Sequence, residues 1–136
     1  MDSWFEEDEE VFVHPRDPHV RIDAIQSSRN IRVELNGEII AETNRPVLLF
    51  ETGAPVRYYI PKADVRLDLL ENSETHTGCP YKGIASYYSI NVSGKTIKDA
   101  IWYYPFPYPE VVKIQNLVSF YPSKVDAIYV DGIKQA

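Results

Sequence analysis

The chain has 136 residues and a single cysteine, Cys79, so no internal disulfide can form and nothing marks an oxidising compartment. No run approaches the roughly 18 consecutive apolar residues that cross a bilayer. The first residues lack the basic, then apolar, order of a secretory signal. A soluble, cytoplasmic protein with no membrane partner is the expectation. Of three histidines (His14, His19, His76) only His76 lies near Cys79 in sequence, and structural zinc normally takes four ligands in paired short spacings. No metal and no other cofactor is expected. A Ser-His-Asp or Cys-His-Asp triad can be drawn from Cys79, His76 and several acids, but no spacing selects it. Basic surface is also missing. Six of the 20 acids fall in the first ten residues, where there is no Lys or Arg, and the remaining 14 acids match 14 bases. A formally neutral body offers no Lys/Arg stripe for phosphates, which excludes nucleic acid as the expected partner.

What is present suits one folded domain: 44% apolar and 25% charged residues, enough to build a core. Residues 1–10 read as an acidic, disordered tail. It serves solubility or, through Trp4 and Phe5, docks on a basic partner. Residues 11–30, which carry HPRDP and no sustained periodicity, read as an extended arm. Residues 31–136 read as a single β domain. Ile31, Val33 and Leu35 alternate with polar residues and meet a returning strand across Asn36-Gly37, the strongest short hairpin signal. Val47–Glu51 and Val56–Ile60 follow as strands three and four, then a helical turn at Pro61–Asp64 and a fifth strand over Val65–Leu69. Residues 71–83 are rich in turn formers and predict a loop. Ile84–Val92 and Lys95–Tyr104 form a second hairpin around Ser93-Gly94, and Pro105–Pro109 is a loop or a sheet edge. Leu117–Tyr121 and Val125–Val130 give a last strand pair. The sum is an all-β fold, a small antiparallel barrel or curved sandwich of about eight to ten short strands with at most one short helix.

The runs RPVLLFETG (45–53), RYYIPKADVRLDLL (57–70), CPYKGIASYYSI (79–90) and FYPSKVDAIYVDG (120–132), with the arm HPRDPHVRID (14–23), resemble the family known as domain of unknown function 427, also labelled nucleotidyltransferase-like. The resemblance spans roughly residues 11–133 and implies a small all-β domain without an established activity. Nucleotidyltransferase chemistry uses a Gly-Ser turn followed by paired aspartates that hold magnesium against a triphosphate. This chain has no Gly-Ser pair and no Asp-x-Asp. Asp64 and Asp68, four apart, would share a strand face at about 13 Å.

Chemistry is sought first in the loop CPYKG. A thiolate is favoured by a nearby ammonium, and Lys82 stands three residues from Cys79. The cysteine is either a nucleophile, with Lys82 as its catalytic partner, or an apolar plug beneath a turn in which Pro80 is fixed and Gly83 takes an unusual φ. The second constellation is aromatic and cationic. Arg57, Tyr59, Tyr81, Tyr88 and Trp102 are candidate ligand-binding residues, with rings of Tyr58/Tyr59, Tyr87/Tyr88 and Trp102–Tyr104 divided between core and surface by strand alternation. Glu51 is expected to pair with Arg57 across the Gly53–Pro55 turn. Asp68 and Asp99 are candidate general bases on condition that they are buried beside the Cys79 loop, where desolvation raises a carboxyl pKa. The functional expectation is a domain that binds a small anionic or nucleotide-like ligand beside CPYKG, with a transferase or hydrolase step at Cys79 as its enzymatic form. The alternative is a non-catalytic interaction module, a homodimer included, that uses the aromatic face and the acidic tail.

Overall fold

The computed structural model describes residues 21–135, together with the backbone of a two-residue ladder that pairs Phe5–Glu6 with Glu9–Glu10. The other readings made of residues 1–20 lie outside the described residues. Within 21–135 the strands run in order β1 (Ile22–Gln26), β2 (Ile31–Leu35), β3 (Glu38–Thr43), β4 (Val47–Glu51), β5 (Arg57–Tyr59), β6 (Leu70–Cys79), β7 (Gly83–Val92), β8 (Lys95–Tyr103), β9 (Val118–Phe120), β10 (Ala127–Val130) and β11 (Ile133–Lys134). Three two-residue turns set the hairpins. Asn36-Gly37, Ser93-Gly94 and Asp131-Gly132 all have positive φ at both positions, the type I′ geometry whose twist matches paired strands. Among the described residues no helix is long and apolar enough to cross a membrane.

Three antiparallel sheets result: β9-β8-β7-β6, β11-β10-β2-β3 and β1-β4-β5. A single bridge, Ile60 with Val118, links the end of β5 to β9, and another, Ala41 with Val65, ties β3 to the segment after the first 3₁₀ turn; the sheets do not close into a barrel. The all-β expectation and both Xxx-Gly hairpins hold, as do the β4–β5 pairing and the helical turn, a 3₁₀ segment at Lys62–Asp64.

Four local expectations change. Residues 67–69 form a 3₁₀ turn and not a fifth strand. The side chain of Arg66 forks onto Asp68 two residues on, with Nε to Oδ1 at 3.0 Å and Nη2 to Oδ2 at 2.8 Å, a contact that suits a bend. Residues 70–79 are a long strand where composition predicts a loop, because their polar side chains have partners on the sheet: Ser73 and Thr75 donate to Asp99, and Thr77 meets Tyr87. The strands β9 and β10 belong to different sheets instead of pairing with each other. Finally, the arm ends in strand β1, paired with β4 from Ile22↔Glu51 to Gln26↔Val47, where Ile22 and Ala24 pack inward.

The four-stranded sheet β9-β8-β7-β6 is covered on both faces. Register pairs Trp102 with Tyr87 and Ile101 with Tyr88, and neighbouring side chains point to opposite faces. Tyr87, Trp102, Ala85 and Tyr104 therefore join one core cluster with Val47, Leu49 and Tyr59. Ile90, Ile101 and Val118 join another with Ile31, Val33 and Ile60. That double burial explains why apolar and aromatic residues stand at both odd and even positions of β7, with Ser86 and Ser89 buried among them. The turn between β6 and β7 is held against residues 106–108. Tyr108 donates its amide to the Lys82 carbonyl at 3.0 Å, and at Gly83, with φ +119°, an added Cβ would stand only 3.1 Å from the Phe106 carbonyl oxygen. Gly83→Ala is expected to destabilise the fold by about 1–3 kcal/mol through positive φ and this close approach. Urea unfolding that shows no loss would refute the docked turn.

Candidate functional site: an aromatic cluster flanked by two cations

Strand β5 turns Tyr59 into the core, where it is fully buried. Its hydroxyl accepts the Trp102 indole N–H at 2.9 Å, and the two rings meet edge-on at 6.2 Å. A buried phenol that accepts such a bond needs no charge, and burial pushes its pKa far above the ordinary value. Tyr104 is pushed up in the same way, with Tyr59, Cys79, Tyr87 and Tyr121 adding to the effect of burial. Tyr121 closes the cluster. Its ring lies 4.4 Å from Trp102 and stacks at 6.4 Å on Tyr87, whose hydroxyl reaches Thr77 Oγ1 at 2.8 Å and the Tyr121 hydroxyl at 3.3 Å. Burial, then Tyr87, raises the Tyr121 pKa while Arg57 lowers it. The cluster is thus a block of neutral phenols held by ring packing and hydroxyl bonds.

Several of the residues singled out in the sequence meet here. Arg57 lays its guanidinium over the Trp102 ring at 5.4 Å, a favourable place for a cation. Cys79, a free and partly buried thiol, packs against the same cluster. Lys82 lies beside it, yet its ammonium is engaged: Nζ donates to Glu51 Oε1 at 2.9 Å, with both side chains largely buried (14% and 20% exposed). Glu51 therefore pairs with Lys82 and not with Arg57. The register sets Arg57 opposite Leu49, two residues back along β4 from Glu51, while the β6–β7 turn brings Lys82 directly onto the carboxylate.

Other candidates stand apart. Tyr88 lies on the opposite face of the sheet, stacked on Tyr103 at 4.7 Å. Tyr81 sits partly exposed in the β6–β7 turn. Asp68 is exposed, and its bond to Arg66 lowers its pKa. Asp99, at a bulge in β8 with φ +52°, is bonded by Ser73 and Thr75 and is likewise held below the usual carboxylate range, first by Ser73. The condition that would make these two acids general bases, burial that raises the pKa, is not met. Among the described residues no three of His, Cys, Asp and Glu gather as metal ligands.

No local sequence signal marks the cavity of about 610 Å³ that opens where the three sheets meet. Ile31, Val33, Ile60, Phe120 and Ile128 line it, and Arg57 stands among the polar groups of its wall. These residues come from separated stretches of chain, so spacing within any one of them carries no sign of the enclosure. Of the candidate ligand-binding residues, Arg57 is the one that reaches it.

The architecture and this site define an all-β domain with a partly enclosed, apolar, cation-bearing cavity. Residues 23–131 match the family described as domain of unknown function 427, and the chain belongs to that family as a single domain across most of its length. No curated protein matches the chain.

The ion contacts can be tested separately. Lys82→Met and Glu51→Gln should each destabilise by about 2–3 kcal/mol, and the double variant by less than their sum, because each single change strands a largely buried charge or acceptor. Strict additivity in a denaturation cycle would show that the pair is uncoupled. For Asp99 the folded-state pKa is depressed, so the stability it contributes is complete above the ordinary carboxyl value of about 3.9 and is lost as pH falls through the lower folded value. Asp99→Asn should be less stable than the wild type at pH 7, and thermal melts should show that gap closing in acid. A gap that stays constant with pH would contradict the assignment.

Proposed function

We propose that the protein binds a small organic anion in the cavity at the junction of the three sheets, its apolar body against Ile31, Val33, Ile60, Phe120 and Ile128 and its carboxylate or phosphate on Arg57. The observation that carries this reading is an arginine in the wall of an apolar cavity with no carboxylate paired to it among the described residues. A guanidinium recognises carboxylate and phosphate through two parallel donors, and the volume falls within the range of small-molecule sites, about 300–1,000 Å³. Nucleotide-like ligands belong to this class, with a flat base on the apolar wall. Lys82, engaged by Glu51, is not needed for binding. Cys79 is not among the residues that line the cavity, so a transfer or hydrolysis step at the thiol would require the ligand to extend toward the CPYKG turn. The interaction alternative draws less support, since Tyr59, Tyr87, Trp102 and Tyr104 are buried.

The test is titration of the full chain with 8-anilinonaphthalene-1-sulfonate, an anion on an aromatic body, followed by competition with octanoate and with AMP. Saturable one-to-one binding should weaken about tenfold in Arg57→Gln, the scale of a lost charged hydrogen bond, and should be unchanged in Cys79→Ser. Displacement by AMP but not octanoate would favour the nucleotide-like class; the reverse would favour acyl compounds. Equal affinity in wild type and Arg57→Gln would overturn the reading.

A further inference from the structure

Apart from the Arg57 cavity, the Tyr88 face of the same sheet carries a second set of polar groups that the proposed function leaves unused. Ile84, Ser86 and Tyr88 occupy alternate positions of β7, so their side chains share one face at steps of about 6.6 Å. At one end, Tyr88 stacks on Tyr103 at 4.7 Å. The Lys62 ammonium, delivered by the 3₁₀ turn after Pro61, caps this pair. Its Nζ donates to the Tyr88 hydroxyl at 3.1 Å and lies 5.3 and 4.6 Å from the Tyr88 and Tyr103 ring centroids. In the middle, Ser86 stands opposite Tyr103 in register and bonds His76 Nδ1 at 3.2 Å. Beyond it opens a cavity of about 340 Å³ lined by Gly83, Ile84, Ser86, Pro105, Phe106 and Tyr108, of which Phe106 is 83% exposed.

Lys62 is the one group of this row that can only donate; the hydroxyls and the imidazole both donate and accept, and the Tyr88 hydroxyl accepts from Lys62. No carboxylate forms an ion pair with Lys62 or His76 among the described residues. Tyr103 also belongs to the row: burial, followed by Tyr88, raises its pKa, whereas Lys62 and Ser86 lower it. A half-buried ammonium held on two rings, beside hydroxyls that can turn to donate, is complementary to an oxygen acceptor that bears negative charge. Next to it, Ile84 and Phe106 offer the apolar wall on which a flat ring can lie.

We propose that this face is a second binding site, separate from the Arg57 cavity, for an aryl oxyanion: the ring lies in the Ile84–Phe106 cavity and the phosphate or carboxylate reaches Ser86, Tyr103 and the Lys62–Tyr88 pair. The site holds its ligand through a positive charge fixed in place by two stacked phenols, and selects against uncharged rings because these offer that charge no anion.

Phenyl phosphate is the probe, followed by amide shifts in the ¹⁵N-labelled full chain. Saturable shifts are expected at Ile84, Ser86, Tyr88 and Phe106. Lys62→Met should weaken binding at least tenfold, Lys62→Arg should largely restore it, and Phe106→Ala should weaken it several-fold, while Arg57→Gln leaves it unchanged. Benzyl alcohol, which has the ring without the charge, should produce no saturable shift at these residues. Shifts confined to the Arg57 cavity, or an affinity indifferent to Lys62→Met in a variant whose thermal melt matches the wild type, would overturn the proposal. If Lys62→Met fails to fold, Phe106→Ala decides: full-strength binding without that exposed ring removes the cavity from the site.

Discussion

The constraint on which the structure depends is that the middle strands of one antiparallel sheet, β7 and β8, send buried side chains to both faces. Most antiparallel sheets set one face against a core and the other against water; here β7 and β8 serve two cores at once. Each residue along them must then satisfy a different neighbour, and the polar ones are the most demanding. Trp102 can be buried because the Tyr59 hydroxyl takes its indole proton, and Tyr59 can be fully buried because Trp102 supplies that donor. Removing either partner would leave the other's polar atom unpaired in the core, at a cost of about 1–3 kcal/mol.

Alternation on such a sheet also divides chemistry. Adjacent tyrosines that look like one constellation in sequence are carried to opposite sides: Tyr87 joins Trp102, Tyr121 and Arg57, while Tyr88 joins Tyr103 and Lys62. The three cations differ in how they are used. Lys82 meets a carboxylate and is neutralised within the structure. Arg57 and Lys62 instead rest on aromatic faces, which hold a cation in place without cancelling its charge. A cation held in this way keeps its charge for an anion, and Arg57 stands in the wall of a cavity.

Much of the architecture could be read from the chain because turn chemistry is local. Asn36-Gly37 and Ser93-Gly94 mark their hairpins, and Pro61 marks the 3₁₀ turn. The errors arise where distant partners override composition. Residues 71–79 have the makeup of a loop, but Asp99 and Tyr87, 24–26 and 10 residues away, give their hydroxyls bonds on the sheet. Leu67 and Leu69 alternate like a strand, but the backbone takes a 3₁₀ turn there, across which Arg66 pairs with Asp68. For the site, residue type is enough to nominate Arg57, Tyr59, Trp102, Cys79 and Lys82 as neighbours. It cannot reveal that Glu51 takes Lys82, because the choice between two cations depends on where the β6–β7 turn is docked. Nor can it reveal either cavity, since each is enclosed by stretches far apart in the chain.

The docking of that turn connects fold to function. Gly83 brings the backbone against residues 106–108, and the same closure sends Lys82 to Glu51 on one side and forms the Gly83–Ile84 edge of the smaller cavity on the other. A turn that could relax would free the Lys82 ammonium and loosen the cavity wall together. Cys79 pairs with Gly83 in register at the base of this turn and packs on the phenol cluster. The end of β6 is therefore tied to a backbone approach that only glycine allows at this φ.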